Sequence, residues 1–143
     1  MGSSSDSAEL AGSLERLKNR NKELLPDYKI IPEKRLVLVK FSGQVTVKKI
    51  AWYAECLLAD PLFDPHFSEI VDITEIQGVD MDGAQMIEVA DKIDPFSHEA
   101  KRAFVVSNAV QKHGARMHQI LRAAKEKMAI FPTMEEAERW IGQ

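Results

Sequence analysis

The residues of this chain equipped for acid, base, nucleophile or ligand roles are four histidines, one cysteine and a series of carboxylates from Asp72 to Asp82. His113 and His118 are five positions apart. On a helix that step separates them by roughly 140°, which spoils a shared metal where a step of four would make one. Both read as surface or groove-edge residues, and His66 and His98 fall in loop-like sequence without an identifiable partner. Cys56 lies inside a helical stretch, with neither a helix N-terminus nor an adjacent base to make its thiolate accessible. Gly43, Gly78 and Gly83 are too widely spaced to cradle a phosphate. In Asp72-Ile-Thr-Glu-Ile-Gln-Gly-Val-Asp80-Met-Asp82-Gly83, a calcium-loop reading with Gly83 sixth puts Gly78 first and Val89 twelfth, and neither side chain can coordinate. A phosphoaspartate of the receiver type needs an acidic pair after an earlier strand, and Lys40-Phe-Ser-Gly43 supplies none. Asp80 or Asp82 with a distant histidine would make an enzyme only in a concave site holding carboxylate and imidazole within hydrogen-bond reach. No catalytic residue, metal or cofactor is expected.

The elements that must position these groups belong to one domain of ordinary globular composition. Of 143 residues, 45% are hydrophobic and 29% charged, enough for a core without staples. One cysteine excludes an internal disulfide and a multi-cysteine zinc site. A net charge of -3 and a pI near 5.8 argue against a nucleic-acid binder. No apolar run approaches the ~18 residues of a membrane span and no secretory h-region opens the chain, so a cytoplasmic protein is expected. The charge is segregated: twelve acids and one base lie from Glu55 to Glu99, seven bases and one acid from Lys101 to Lys127. Such a division can steer a charged partner, but helix caps and a solvated helix face are the reading favoured here.

Residues 1–25 read as a disordered start, Met1 to Ser7, followed by an amphipathic helix from Glu9. Leu10, Leu14, Leu17, Asn21 and Leu24 step by four, three, four and three, a short heptad seam with one polar core position. Two heptads are too few to stand alone, so the seam must pack on its own domain or on a second copy in a homodimer. Residues 26–143 alternate strand and helix. Tyr28–Ile31 and Leu36–Phe41 form a hairpin through Pro32–Arg35. Thr46 caps a helix that Asp60-Pro61 ends. Phe67–Ile73 and Arg102–Val106 read as strands, and helices are expected from Gly83 to Ile93, burying Met86, Ile87, Ala90 and Ile93, and from Ala109 to about Glu126, with a stripe through Val110, Gly114, Met117, Leu121 and Ala124. Met128–Phe131 is a last strand, and Thr133 with Glu136 makes a capping box for a final helix. The fold class is α/β: a mixed sheet of four to five strands with packed helices and an additional N-terminal helix.

Asp72-Ile-Thr74 followed by Val79-Asp80-Met81-Asp82-Gly83 resembles the D-[LI]-[ST]…I-D-S-S-G segment of SpoIIAA-type STAS domains, the anti-sigma-factor antagonists. The tail, Gly114-Ala-Arg116-Met117…Ile130-Phe131…Glu136-Ala137…Trp140-Ile141, is similar to a stand-alone SpoIIAA-like group associated with STAS and SEC14-like domains. The resemblance covers about 115 residues and omits the N-terminal helix. It implies a loop of Thr74, Asp80, Met81, Asp82 and Gly83 that contacts a protein partner. In the antagonists a partner kinase phosphorylates the second serine of D-S-S-G, and this chain has Asp82 there. Asp cannot be esterified by such a kinase. It is either a fixed, imperfect mimic of phosphoserine or, with Gln85 three residues on, a capping box.

The function expected on these grounds is a non-enzymatic regulatory or protein-interaction module. The alternative is a carrier or sensor of a small apolar ligand, drawn from the SEC14-like association and from six methionines that suit an adaptable pocket.

Overall fold

The computed structural model describes residues 3–124 and 126–143, with side chains from residue 8 onward. Met1 and Gly2 of the expected disordered start lie outside the described residues. Helix α1 spans Ser3–Arg20 and so begins six residues before the expected Glu9, taking in most of that start. Its leucine seam is only partly used: Leu14 and Leu17 are partly covered where α1 meets α2 (Val47–Ala59), Leu24 is partly covered in a 3-10 turn (Lys22–Leu24) beyond the end of α1, and Leu10 remains 52% exposed.

Strands β1 (Asp27–Ile31), β2 (Leu36–Thr46), β3 (Ser68–Asp80), β4 (Arg102–Val105) and β5 (Met128–Phe131) form one sheet in the order β1-β2-β3-β4-β5. The β1–β2 pair is the expected antiparallel hairpin; every later pair is parallel. Strand parity decides what each face buries. Val37, Val39 and Phe41 of β2, Val71 and Ile73 of β3 and Phe104 of β4 point to the face covered by α2, α3 (Gly83–Glu88) and α4 (Ala109–Leu121). Leu36, Ile70, Ala103 and Val105 point to the other, where α5 (Met134–Ile141) lays down Ala137, Met134 and Trp140.

Three boundaries differ from expectation. Strand β3 continues to Asp80, so Thr74–Asp80 is not a loop. The second half of β2 supplies the backbone partners, Ser42 through Thr46 pairing with Glu75 through Asp80 after one register shift at Lys40/Ser42 and across a second at Gly43/Gln44, and Gly43 adopts the positive φ of +68° that this bulged stretch needs. The helix expected over 83–93 is α-helical only to Glu88 and then widens into a π-turn, Val89–Ile93, closed by Asp94 N–H to the Val89 carbonyl at 2.9 Å. Its Ile87, expected to be buried, is 49% exposed.

Helix α4 stops at Leu121 rather than near Glu126, with Ala123 left-handed at φ 51°. Val110, the first residue of its expected stripe, is exposed, and Gln111 and Ala115 are buried instead. A left-handed alanine costs roughly 1–2 kcal/mol, more than the roughly 0.4–1 kcal/mol of extra chain freedom that glycine adds to the unfolded state. Ala123→Gly should therefore raise the unfolding free energy by about 0.5 kcal/mol or more in urea titration.

Candidate functional site

The apolar stripes of α3 and α4 do not close onto the sheet. Between them lies a cavity of about 120 Å³. Its floor is Phe41, Val71, Ile73 and Phe104. Ile50 and Tyr53 of α2 wall one side, and Met86, Val89, Ala115, Met117 and Leu121 lie over it. The partial exposure of Met86, Met117 and Leu121 follows, since they border this space and not a filled core. Val79 and Met81 extend the lining towards the segment that joins β3 to α3.

At one end of this apolar space the protein buries a group of charges. Glu69 and Arg102 occupy interior-facing positions of neighbouring strands and are direct register partners. Arg102 donates through Nε to Glu69 Oε1 at 3.0 Å, its Nη2 lies 2.9 Å from the same oxygen, and Nη1 donates to Asp94 Oδ2 at 2.6 Å. Tyr53 donates its hydroxyl to the second Glu69 oxygen at 2.7 Å. Asp94, following the π-turn, also accepts the Phe96 N–H at 3.0 Å and meets His118 Nε2 at 2.8 Å. Arg122 donates to the Ala90 and Phe96 carbonyls at 3.1 and 2.7 Å and holds its Nε 3.5 Å from Asp94. Two carboxylates thus face two guanidiniums, with His118 as a fifth member. All four charged side chains are nearly inaccessible, and that of His118 is 18% exposed.

The electrostatics follow from burial and pairing. Burial pushes Asp94 up, but the Arg102 charge and the His118 hydrogen bond together outweigh it and hold the carboxyl well below the usual carboxylate range. Burial pulls Arg102 down, and Glu69 and Asp94 more than restore it, so it stays cationic. Burial, with the Glu69 charge beside it, raises Tyr53 and keeps it a neutral donor. Part of the charge segregation along the chain is accounted for here. Glu69 and Asp94 come from its acidic stretch, Arg102 and Arg122 from its basic one, and they neutralise each other inside the fold.

The site residues named from sequence are distributed differently. Thr74 is strand residue and not loop; its amide and hydroxyl both donate to Asp72 Oδ1, at 2.9 and 2.6 Å, and its carbonyl accepts from Gln111 at 3.0 Å. Asp80 ends β3, and only Met81 and Asp82 lie between β3 and α3. Asp80, Asp82 and Gly83 are exposed, and Met81 turns towards the cavity. Asp82 and Gln85 form the complete capping box, at 2.8 and 3.0 Å, whereas at α5 Thr133 accepts from Glu136 N–H at 3.2 Å as one half of the expected box. Asp82→Ala should cost about 1 kcal/mol and Asp82→Asn less than about 0.5 kcal/mol in thermal unfolding, because asparagine caps as aspartate does.

No group of three or more histidine, cysteine or acidic side chains suited to a metal occurs among the described residues. Cys56 is buried, and burial pushes its thiol up. Of the histidines, His113 is exposed, but His118 is a cavity residue held by a carboxylate. The concave pairing of carboxylate and imidazole exists, then, between Asp94 and His118 and not at Asp80 or Asp82.

Among solved structures, the chain is similar to an uncharacterized protein of the DUF3478 family with a SpoIIAA-like fold from Shewanella loihica PV-4, at TM-score 0.52 and 17% identity, covering 74% of this chain and 83% of that one. No family model and no curated protein matches the chain. The likeness bears on the fold, which is SpoIIAA-like α/β: a five-stranded mixed sheet with helices on both faces and an N-terminal helix. No helix among the described residues is long and apolar enough to cross a membrane.

Proposed function

We propose that this protein is a binding module for a small apolar molecule, held between the sheet and helices α2 to α4. The cavity carries this reading. A pocket of about 120 Å³ with almost wholly apolar walls leaves Met, Phe and Ile side chains with apolar surface that no protein atom covers. Apolar cavities of roughly 150 Å³ admit benzene. Met86 and Met117, unbranched and polarizable, give walls that adapt to different shapes. Of the two functions expected from sequence, the geometry favours the ligand reading.

The protein-interaction reading keeps support from one observation. Met81 borders the cavity while its neighbours Asp80 and Asp82 face solvent, so a ligand that moves Met81 displaces the surface to which the resemblance assigns partner contact. A ligand-dependent interaction module joins the two. Asp82→Asn separates mimicry from capping, since partner capture unchanged by loss of the charge leaves Asp82 as a cap alone.

Titration of the whole chain with benzene, followed through methyl resonances, tests the ligand reading. Shifts confined to Met86, Met117, Val71 and Ala115 are expected, and none at saturating benzene would refute it. Ala115→Leu should fill the cavity, raising the stability of the unliganded protein by about 0.5–2 kcal/mol and abolishing those shifts.

A further inference from the structure

We infer that the cavity takes a small apolar monocarboxylic acid, its carboxylate against a protonated His118 and its tail in the methionine- and phenylalanine-lined space. The inference rests on the ligand reading above and names the ligand's polar group.

The argument starts at the imidazole. An ionised carboxylate only accepts, so the 2.8 Å contact between His118 Nε2 and Asp94 Oδ2 requires the proton on Nε2. In the neutral ring Nδ1 is then a lone pair. Among the described residues Nδ1 makes no hydrogen bond, and the ring lines the cavity. The ring that lines the apolar space thus carries a free acceptor nitrogen beside a buried carboxylate.

Charge balance selects the ligand. The groups around His118 are Asp94 itself, Glu69 from β3, Arg102 from β4, Arg122 at the end of α4 and the neutral hydroxyl of Tyr53 from α2. The two carboxylates and two guanidiniums already cancel. A carboxylate entering alone would add an uncompensated charge in a poorly solvated place, which is strongly unfavourable. Entering with one proton from solvent, which Nδ1 takes, it forms an ion pair with the imidazolium and leaves the cluster neutral. An alcohol also fits Nδ1 but gains only a neutral hydrogen bond, roughly half as strong as the charge-assisted one. An amine would bring a cation that nothing there balances. The size of the space restricts the tail to something near a benzene ring or a short alkyl chain.

Calorimetric titration of the full chain with hexanoate and with 1-hexanol, at pH 8 in buffers of different ionisation enthalpy, decides the matter. Hexanoate should bind at least about tenfold more tightly than hexanol, with uptake of about one proton. His118→Gln keeps an N–H for Asp94 and loses the basic nitrogen, so it should bind both compounds alike without proton uptake. Should that variant not fold, the comparison of the two compounds and the buffer series on the native protein still decide. Hexanol binding as well as hexanoate, or hexanoate binding with no proton uptake, overturns the acid inference and leaves the ligand reading standing. If neither compound binds while benzene does, the acid inference falls and the ligand reading stands; if benzene fails as well, both fall.

Discussion

Arg102→Met is expected to lower the unfolding free energy by about 3–5 kcal/mol, enough to bring a domain of this size close to unfolding at room temperature. The size of the effect comes from what is left behind. Arg102 is the cation between two buried carboxylates, touching Glu69 with two nitrogens and Asp94 with a third. A methionine preserves most of the volume, so packing is not the main loss. Glu69 keeps only the Tyr53 hydroxyl, and Asp94 keeps His118, the Phe96 amide and a distant Arg122. Two desolvated anions then lie side by side in place of a compensated cluster. Urea unfolding at pH 7 measures the loss, and a change below about 1 kcal/mol would mean that water already screens the cluster. Triple replacement of Glu69, Arg102 and Asp94 by apolar residues of similar volume should cost far less than Arg102→Met alone, because no charge remains buried without a partner.

Acid should weaken the protein through Asp94 in particular. Its folded-state pKa lies well below its unfolded value, held down by Arg102 and His118 against the upward push of burial. A depressed carboxyl contributes its full stabilisation above the unfolded pKa, about 4, and loses it as pH falls towards the folded value. The native protein should hold its urea midpoint from pH 7 to about pH 5 and then lose stability steadily towards pH 2. Asp94→Asn should be about 3–5 kcal/mol less stable at pH 7, because two guanidiniums then share only Glu69. Its deficit relative to the native protein should shrink below pH 4, since acid removes from the native protein what the mutation has already removed. Parallel pH profiles of the two proteins would show that the Asp94 carboxylate is not held by its neighbours in this way.

The buried charge cluster was not read from the sequence, although strand parity carries a signal for one of its pairs. Ser68-Glu69-Ile70-Val71-Asp72-Ile73 alternates so that Glu69 shares a face with Val71 and Ile73, and Arg102 shares one with Phe104 and Val106. An acid and a base at interior positions of two consecutive parallel strands already suggest a buried pair. The hairpin, the Thr46 cap and the Asp82–Gln85 box were legible for a similar reason, since each depends on neighbours within four residues. Other features depend on partners far along the chain. Asp94 and His118 are 24 residues apart, and nothing local marks either one. Thr74–Asp80 has the acids and glycine of a turn, and it is strand only because β2 extends far enough to pair with it. The segment after Leu121 is rich in helix formers, and α4 nevertheless ends there. Arg122 reaches the Ala90 and Phe96 carbonyls, and the chain must return to set Met128 beside Arg102. Tertiary bonds override propensity at that point.

The π-turn has a consequence for how this chain aligns with others of its fold. A π-turn takes up about one residue more than an α-turn over the same axial length. Between Gly83 and Asp94, a relative that continues in α-helix would reach the same place with one residue fewer. Keeping the ten intervening residues without the wide turn would swing the aspartate roughly 100° around the helix axis, away from Arg102 and His118. The presence of the aspartate is therefore tied to a length. A one-residue gap in this interval would separate sequences that can build the buried carboxylate–imidazole pair from those that cannot, even where every other element is shared.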